Sequence, residues 1–139
     1  MQNYRQTIKE IFCLKQLNCA TTTVIIMSKH FSTKIQSQVI DSLVGLPNGA
    51  EQKSLCGLVS GTLIFIGIYG KIKKLKRDQI KNICKKFSSE FIGKFGSIDC
   101  KDLKPEKISP EQTCICKELA YKAIDFSIDF IEKSIKDVI

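Results

Sequence analysis

Seven cysteines punctuate 139 residues, at positions 13, 19, 56, 84, 100, 114 and 116, and no two of them make a CxxC pair. A cysteine has two uses. Protonated and buried, it is a small apolar filler; ionised, it is a nucleophile and a soft metal ligand. Thiols this far apart meet only if the fold gathers them. Three follow residues suited to starting helices: Cys19 after Asn18, Cys56 after Ser54, and Cys116 in the turns after Ser109. Free N–H groups and the positive dipole end lower a thiol's pKa there. The spacing thus predicts ionisable thiols, fit for metal or redox chemistry.

Other chemistries lack their residues. His30 is the sole histidine, and a lone histidine is more often a capping or surface residue than a ligand. There is no GxSxG, no HExxH and no glycine-rich phosphate loop. Hydrolytic and nucleotide-phosphate chemistry are therefore disfavoured. Any enzymatic activity would be of the oxidoreductase type.

The elements that must position the thiols read as helices. Ile8, Ile11, Phe12 and Leu14 space a first helix near 3–16. Asn18 caps a second, from Cys19 to about His30. Thr21 to Ile26 favours a strand by propensity, but no partner strand appears elsewhere, so helix is preferred. Ile35, Val39, Leu43 and Val44 mark a third, ending in the Gly45–Gly49 loop. Ser54 then caps the most apolar helix, about 55–69. A fifth runs from about 75 to 94; Gly96 breaks it, and Ser97 caps a short turn holding Cys100. Ser109-Pro110-Glu111-Gln112 signals the start of the last, with Cys116, Leu119, Ala120, Ala123, Ile124, Ser127, Ile131 and Ile135 on one face. The expectation is an all-α fold over 1–139: one four-cysteine domain, a compact bundle of five or six helices around a central apolar helix.

That central helix invites a membrane reading. Its uncharged run from Ser54 to Gly70 lies at the lower length limit for a span and holds four glycines with Cys56, Ser60 and Thr62. A buried helix is preferred, and membrane association is not expected. Gly57, Gly61, Phe65 and Tyr69 form a flat seam on it, suited to a second copy, so a homodimer is expected. The net charge of +8 is concentrated in Lys71–Lys86, which holds eight basic residues and one acid. Such a helix suits an acidic protein or an anionic surface. Nucleic acid is disfavoured, because no aromatic residues interleave the lysines. No secretory signal is visible in Met1–Leu17, and the cysteine count is odd, which points to reduced thiols in the cytoplasm.

Four cysteines sit in ordered local contexts: Asn18-Cys19-Ala20; Cys56-Gly57-Leu58-Val59-Ser60-Gly61, with an apolar helix ending in Ile66-Gly67-Ile68-Tyr69-Gly70; Phe95-Gly96-Ser97-Ile98-Asp99-Cys100; and Cys116-Lys117-Glu118-Leu119-Ala120. Together they resemble the redox-active protein family named for its cysteine pattern, C_GCAxxG_C_C, over nearly the full length. Two departures stand out: Leu58 replaces the motif's alanine, and the preceding glycine-rich loop is here the longer, polar Leu46–Lys53. The resemblance implies redox or metal chemistry at Cys19, Cys56, Cys100 and Cys116. Zinc sites and thioredoxin-type exchange sites usually carry CxxC pairs. Four separate thiolates suit an iron–sulfur cluster, whose sulfides spread its ligands. A [2Fe–2S] cluster ranks first, a disulfide/dithiol couple without cofactor second, and zinc third. Cys13, Cys84 and Cys114 read as core or surface residues, with Cys114 a substitute ligand for Cys116. The function expected is an electron-transfer or redox-sensing module with an acidic redox partner. The alternative is an interaction module that docks its partner through the basic helix 71–86.

Overall fold

The computed structural model describes residues 3–105 and 114–136. Its helices are α1 (Arg5–Ile8), running on into a π-helical segment (Lys9–Leu14), α2 (Cys19–His30), α3 (Ser37–Ser42), α4 (Gly57–Ile72), α5 (Arg77–Phe95), α6 (Cys100–Leu103) and α7 (Lys117–Lys136). The fold is the expected all-α bundle, with α4 packed against α2, α5 and α7.

The polar threonine run of α2 is a helix because its cap and the Thr23 hydroxyl are satisfied locally. Asn18 accepts the Thr21 N–H at 2.8 Å, and the Thr23 hydroxyl donates to the Cys19 carbonyl at 2.8 Å. Ala20, Val24, Ile26 and Met27 bury its apolar surface. Helix α4 begins at Gly57, two residues later than expected, and runs on to Ile72. Leu55 is drawn out of the helix by an antiparallel bridge to Asp99. Cys56, not Ser54, takes the N-cap position. Val44, expected on an apolar face, is 72% exposed, whereas Leu43 is buried.

The flat seam on α4 faces its own chain. A Cβ on Gly57 would stand 2.7 Å from the Ala20 nitrogen, and one on Gly61 would stand 2.7 Å from the Ala20 carbonyl oxygen. Phe65 is fully buried and stacks on Phe31 and Tyr69. Helix α2 therefore fills the surface assigned to a second copy, and the expected homodimer seam is corrected on that point. The close approach is possible because neither glycine has a side chain to separate the helices.

Beneath α4, Phe87, Phe91, Ile124, Ile128 and Ile131 join Phe65 and Ile66 in one apolar cluster. Gly96, with φ +90, ends α5, as the sequence suggests. The start signal at Ser109–Gln112 lies outside the described residues; the described part of the last helix opens at Lys117. Among the described residues no helix is long and apolar enough to cross a membrane.

Two glycines on one helix have opposite expected outcomes. Gly61→Leu drives its side chain into Ala20 and Thr23 and should cost about 3 kcal/mol or more in urea unfolding. Gly67 has nothing within 4 Å of an added Cβ, so Gly67→Ala should raise stability by about 0.5–1 kcal/mol. The Thr22 hydroxyl is fully buried without a partner. Thr22→Val should therefore stabilise by about 1 kcal/mol, read from the same unfolding curves.

Candidate functional site

The bundle gathers the four thiols. Cys19 is the first residue of α2, held by its Asn18 cap, whose Nδ2 also donates to the Leu43 carbonyl at 2.9 Å. The Cys56 N–H donates to the Ile98 carbonyl at 2.8 Å, and the Cys100 N–H donates to the Ser54 carbonyl at 2.6 Å. These two bonds flank the Leu55–Asp99 bridge and lock the N-terminus of α4 to α6. The Ser97 hydroxyl accepts the Asp99 N–H at 3.0 Å and donates to Asp102 at 2.8 Å, so it braces the turn as expected, although Asp99 is the N-cap residue. The Cys116 carbonyl accepts the Ala120 N–H at 2.8 Å at the entry to α7.

All four cysteines line one cavity of about 590 Å³. Its remaining wall is mostly apolar, including Phe12, Leu17, Ile40, Leu58, Leu103 and Leu119. Leu58, in place of the motif's alanine, is only 1% exposed and adds to that wall. No carboxylate lines the cavity, and Lys104 is its one charged side chain among the described residues. The Lys104 Nζ donates to Asn48 Oδ1 at 2.8 Å, and Asn48 sits in the left-handed region at φ 51. Sequence reasoning passed over both residues. The signal available was the position of Lys104 one helical turn beyond Cys100.

The thiols do not ionise as helix N-termini alone would have them. Burial pushes the Cys19 thiol far up, and the Cys56, Cys116 and Cys100 sulfurs add to the rise against a lowering by Lys104. Burial pushes Cys56 up to about 11, opposed by the backbone N–H groups of Leu58 and Val59 and reinforced by Cys100 and Cys116. Cys116 is also raised, by burial first, with Lys104 lowering it and Cys100 raising it. The expected helix-end effect is present at Cys56, but desolvation is larger. Burial thus favours the neutral thiol at Cys19, Cys56 and Cys116.

Cys13 and Cys114, expected to be unpaired, form a disulfide at the rim of the same cavity. This corrects the reading of all thiols as reduced and of Cys114 as a spare ligand. Cys84 stays a free, half-buried residue on α5, outside the cavity. His30 bridges helices, with Nδ1 at 2.9 Å from Tyr4 Oη and Nε2 at 2.5 Å from Glu132. Among the described residues, no group of three or more His, Cys, Asp or Glu side chains is arranged to hold a metal ion. The four sulfurs surround a space rather than a point.

A family model described as "Putative redox-active protein (C_GCAxxG_C_C)" matches residues 17–129, a stretch that contains all four cavity thiols. No curated protein and no solved structure matches the chain.

The raised thiol values fix a pH dependence. A thiol raised by folding keeps its proton where the unfolded one loses it. Its contribution is complete below the ordinary value of 9.0 and fades as pH rises toward about 11 for Cys56. The metal-free protein should lose on the order of 2 kcal/mol through Cys56 over that window, measured by denaturant unfolding. Cys56→Ser should flatten the slope; an unchanged slope would show that another group sets it.

Proposed function

This chain belongs to the C_GCAxxG_C_C family, and from that premise we propose that it is an electron-transfer or redox-sensing module whose working groups are Cys19, Cys56, Cys100 and Cys116. One observation carries the reading: four thiols from four separate elements line a single, mostly apolar cavity. Packing alone does not call for sulfur at every one of those places.

The chemistry of the donor set bears on what the cavity holds. Four soft sulfur donors, with no carboxylate in the lining among the described residues, favour iron or zinc over harder ions. Their spread around one cavity suits a group with several metal centres, whose bridging sulfides separate its ligands. A [2Fe–2S] cluster held by Cys19, Cys56, Cys100 and Cys116 fits best; bound there, it would supply one-electron transfer. The chain's own part is to shed the thiol protons on binding, to keep water out with Leu58, Leu103 and Leu119, and to offset thiolate charge with Lys104. The burial, and the lesser mutual repulsion, that raise the Cys19, Cys56 and Cys116 thiols would be offset by a cationic centre between them. A dithiol couple without cofactor ranks second, favoured by the disulfide already formed at the rim.

A second role rests on a different surface. Lys71, Lys73, Lys74, Lys76, Arg77, Lys81, Lys85 and Lys86 are all exposed. This basic band suits an acidic redox partner, which it would steer by long-range attraction. A homodimer, proposed because two-fold assembly is common, would use a face other than the one α2 covers.

Anaerobic reconstitution with iron and sulfide tests the cluster. We expect visible absorption, with iron and sulfide bound in equal amounts. Serine at positions 19, 56, 100 and 116 together should abolish both while leaving the helical circular dichroism intact. A protein that stays colourless and iron-free after reconstitution would remove the cluster and leave the dithiol couple.

A further inference from the structure

The Cys13–Cys114 bond joins parts of the chain 101 residues apart. Both residues line the cavity that holds the free thiols Cys19, Cys56, Cys100 and Cys116. An oxidised pair and four reduced sulfurs therefore share one space. The bond ties together two sections of its rim, the segment around Phe12–Cys19 and the segment Cys114–Cys116.

Two observations set this bond apart from a staple of the core. The core is assembled without it. Tyr4, Ile8 and Ile11 anchor the N-terminal segment in the main apolar cluster, Ile124, Ile128 and Ile131 anchor α7 there, and neither Cys13 nor Cys114 belongs to that cluster. Both cysteines are also only half-buried, and Leu14, Lys15 and Gln16 beside Cys13 are exposed. A reductant in solution can reach the pair.

We propose that Cys13–Cys114 is an exchangeable disulfide that acts as a clasp on the thiol cavity, opened by a dithiol reductant and closed by a disulfide oxidant. Its purpose rests on the cavity being the redox site; its chemistry does not. A thiolate of the reductant attacks one of the two sulfurs. The Cys13–Cys114 bond breaks, a mixed disulfide forms, and the other cysteine leaves as a thiolate. The second thiol of the reductant then attacks the mixed disulfide and frees the remaining cysteine. Two electrons pass to the protein, two protons end on Cys13 and Cys114, and the reductant departs as its own disulfide. Once the two rim sections are no longer bonded, the cavity can widen and is bordered by six thiols. Cys116, two residues beyond Cys114, is released with its segment.

The full chain, equilibrated with mixtures of reduced and oxidised dithiothreitol, then acid-quenched and mass-tagged, reports the exchange. Cys13 and Cys114 should convert together while the helical circular dichroism is kept. A bond that resists excess dithiothreitol, or yields only as the helices are lost, overturns the exchange. Pulse labelling of the native protein with a bulky maleimide reads the opening. Cys19, Cys56, Cys100 and Cys116 should label about tenfold faster or more when the clasp is reduced, and likewise in the Cys13→Ser/Cys114→Ser variant. Equal rates in a folded, reduced chain overturn the clasp. The chain with serine at 19, 56, 100 and 116 separates this proposal from the cluster. Exchange at Cys13–Cys114 should persist there whether or not the wild type takes up iron, and its loss in that folded variant overturns the proposal.

Discussion

The contact on which the rest depends is the near-touching of two helix backbones. Gly57 and Gly61 let α4 lie directly on Cys19, Ala20 and Thr23 of α2. Interior side chains normally keep helix axes 8–10 Å apart, and glycine removes that spacer. The first residue of α2 and the entry to α4 are thereby brought side by side, and each carries a cysteine. The opposite face of α4 is left for α5 and α7, where the phenylalanines and isoleucines close the core. The same two glycines thus serve the packing and the gathering of sulfur.

Two opposing effects meet at those sulfurs. A helix entrance favours a negative charge, and an apolar wall disfavours it. Desolvation is the larger here: the Cys56 thiol rests at about 11 even though two backbone N–H groups face it. The charged form is available in numbers only when something positive shares the cavity. The raised thiols of Cys19, Cys56 and Cys116 react more slowly with stray oxidants and alkylating agents than exposed ones, because the thiolate is the reactive form. Lys104, held by Asn48, is the single fixed positive charge in the lining among the described residues.

Much of the fold was legible in the sequence because its signals are local. Asn18 caps a helix wherever it occurs in this setting, Gly96 ends one, and the stripe from Leu119 to Ile135 has one apolar face. The four cavity cysteines were legible only as a set, through their ordered contexts. What the sequence hid were pairings between distant segments. The bridge from Leu55 to Asp99 moves the start of α4, and no periodicity records it. Cys13 and Cys114 meet across the whole chain, and spacing cannot reveal a partner so remote. The seam of α4 was read correctly as a contact face but given the wrong occupant, since composition does not say which helix will cover it. Lys104 escaped notice because an isolated lysine on a short helix looks like any solvated one.

The two hydrogen bonds beside the Leu55–Asp99 bridge give the cavity an unequal grip. Cys56 and Cys100 are tied through their backbones into one rigid unit, whereas Cys19 and Cys116 arrive on separate helices. A guest held by the tied pair would meet its second sulfur as a chelate, with no further freedom to surrender between the two. The other two sulfurs then act at high effective concentration. On the reading proposed above, capture would be stepwise, with the bridged half as the landing place and the helical half as the closure.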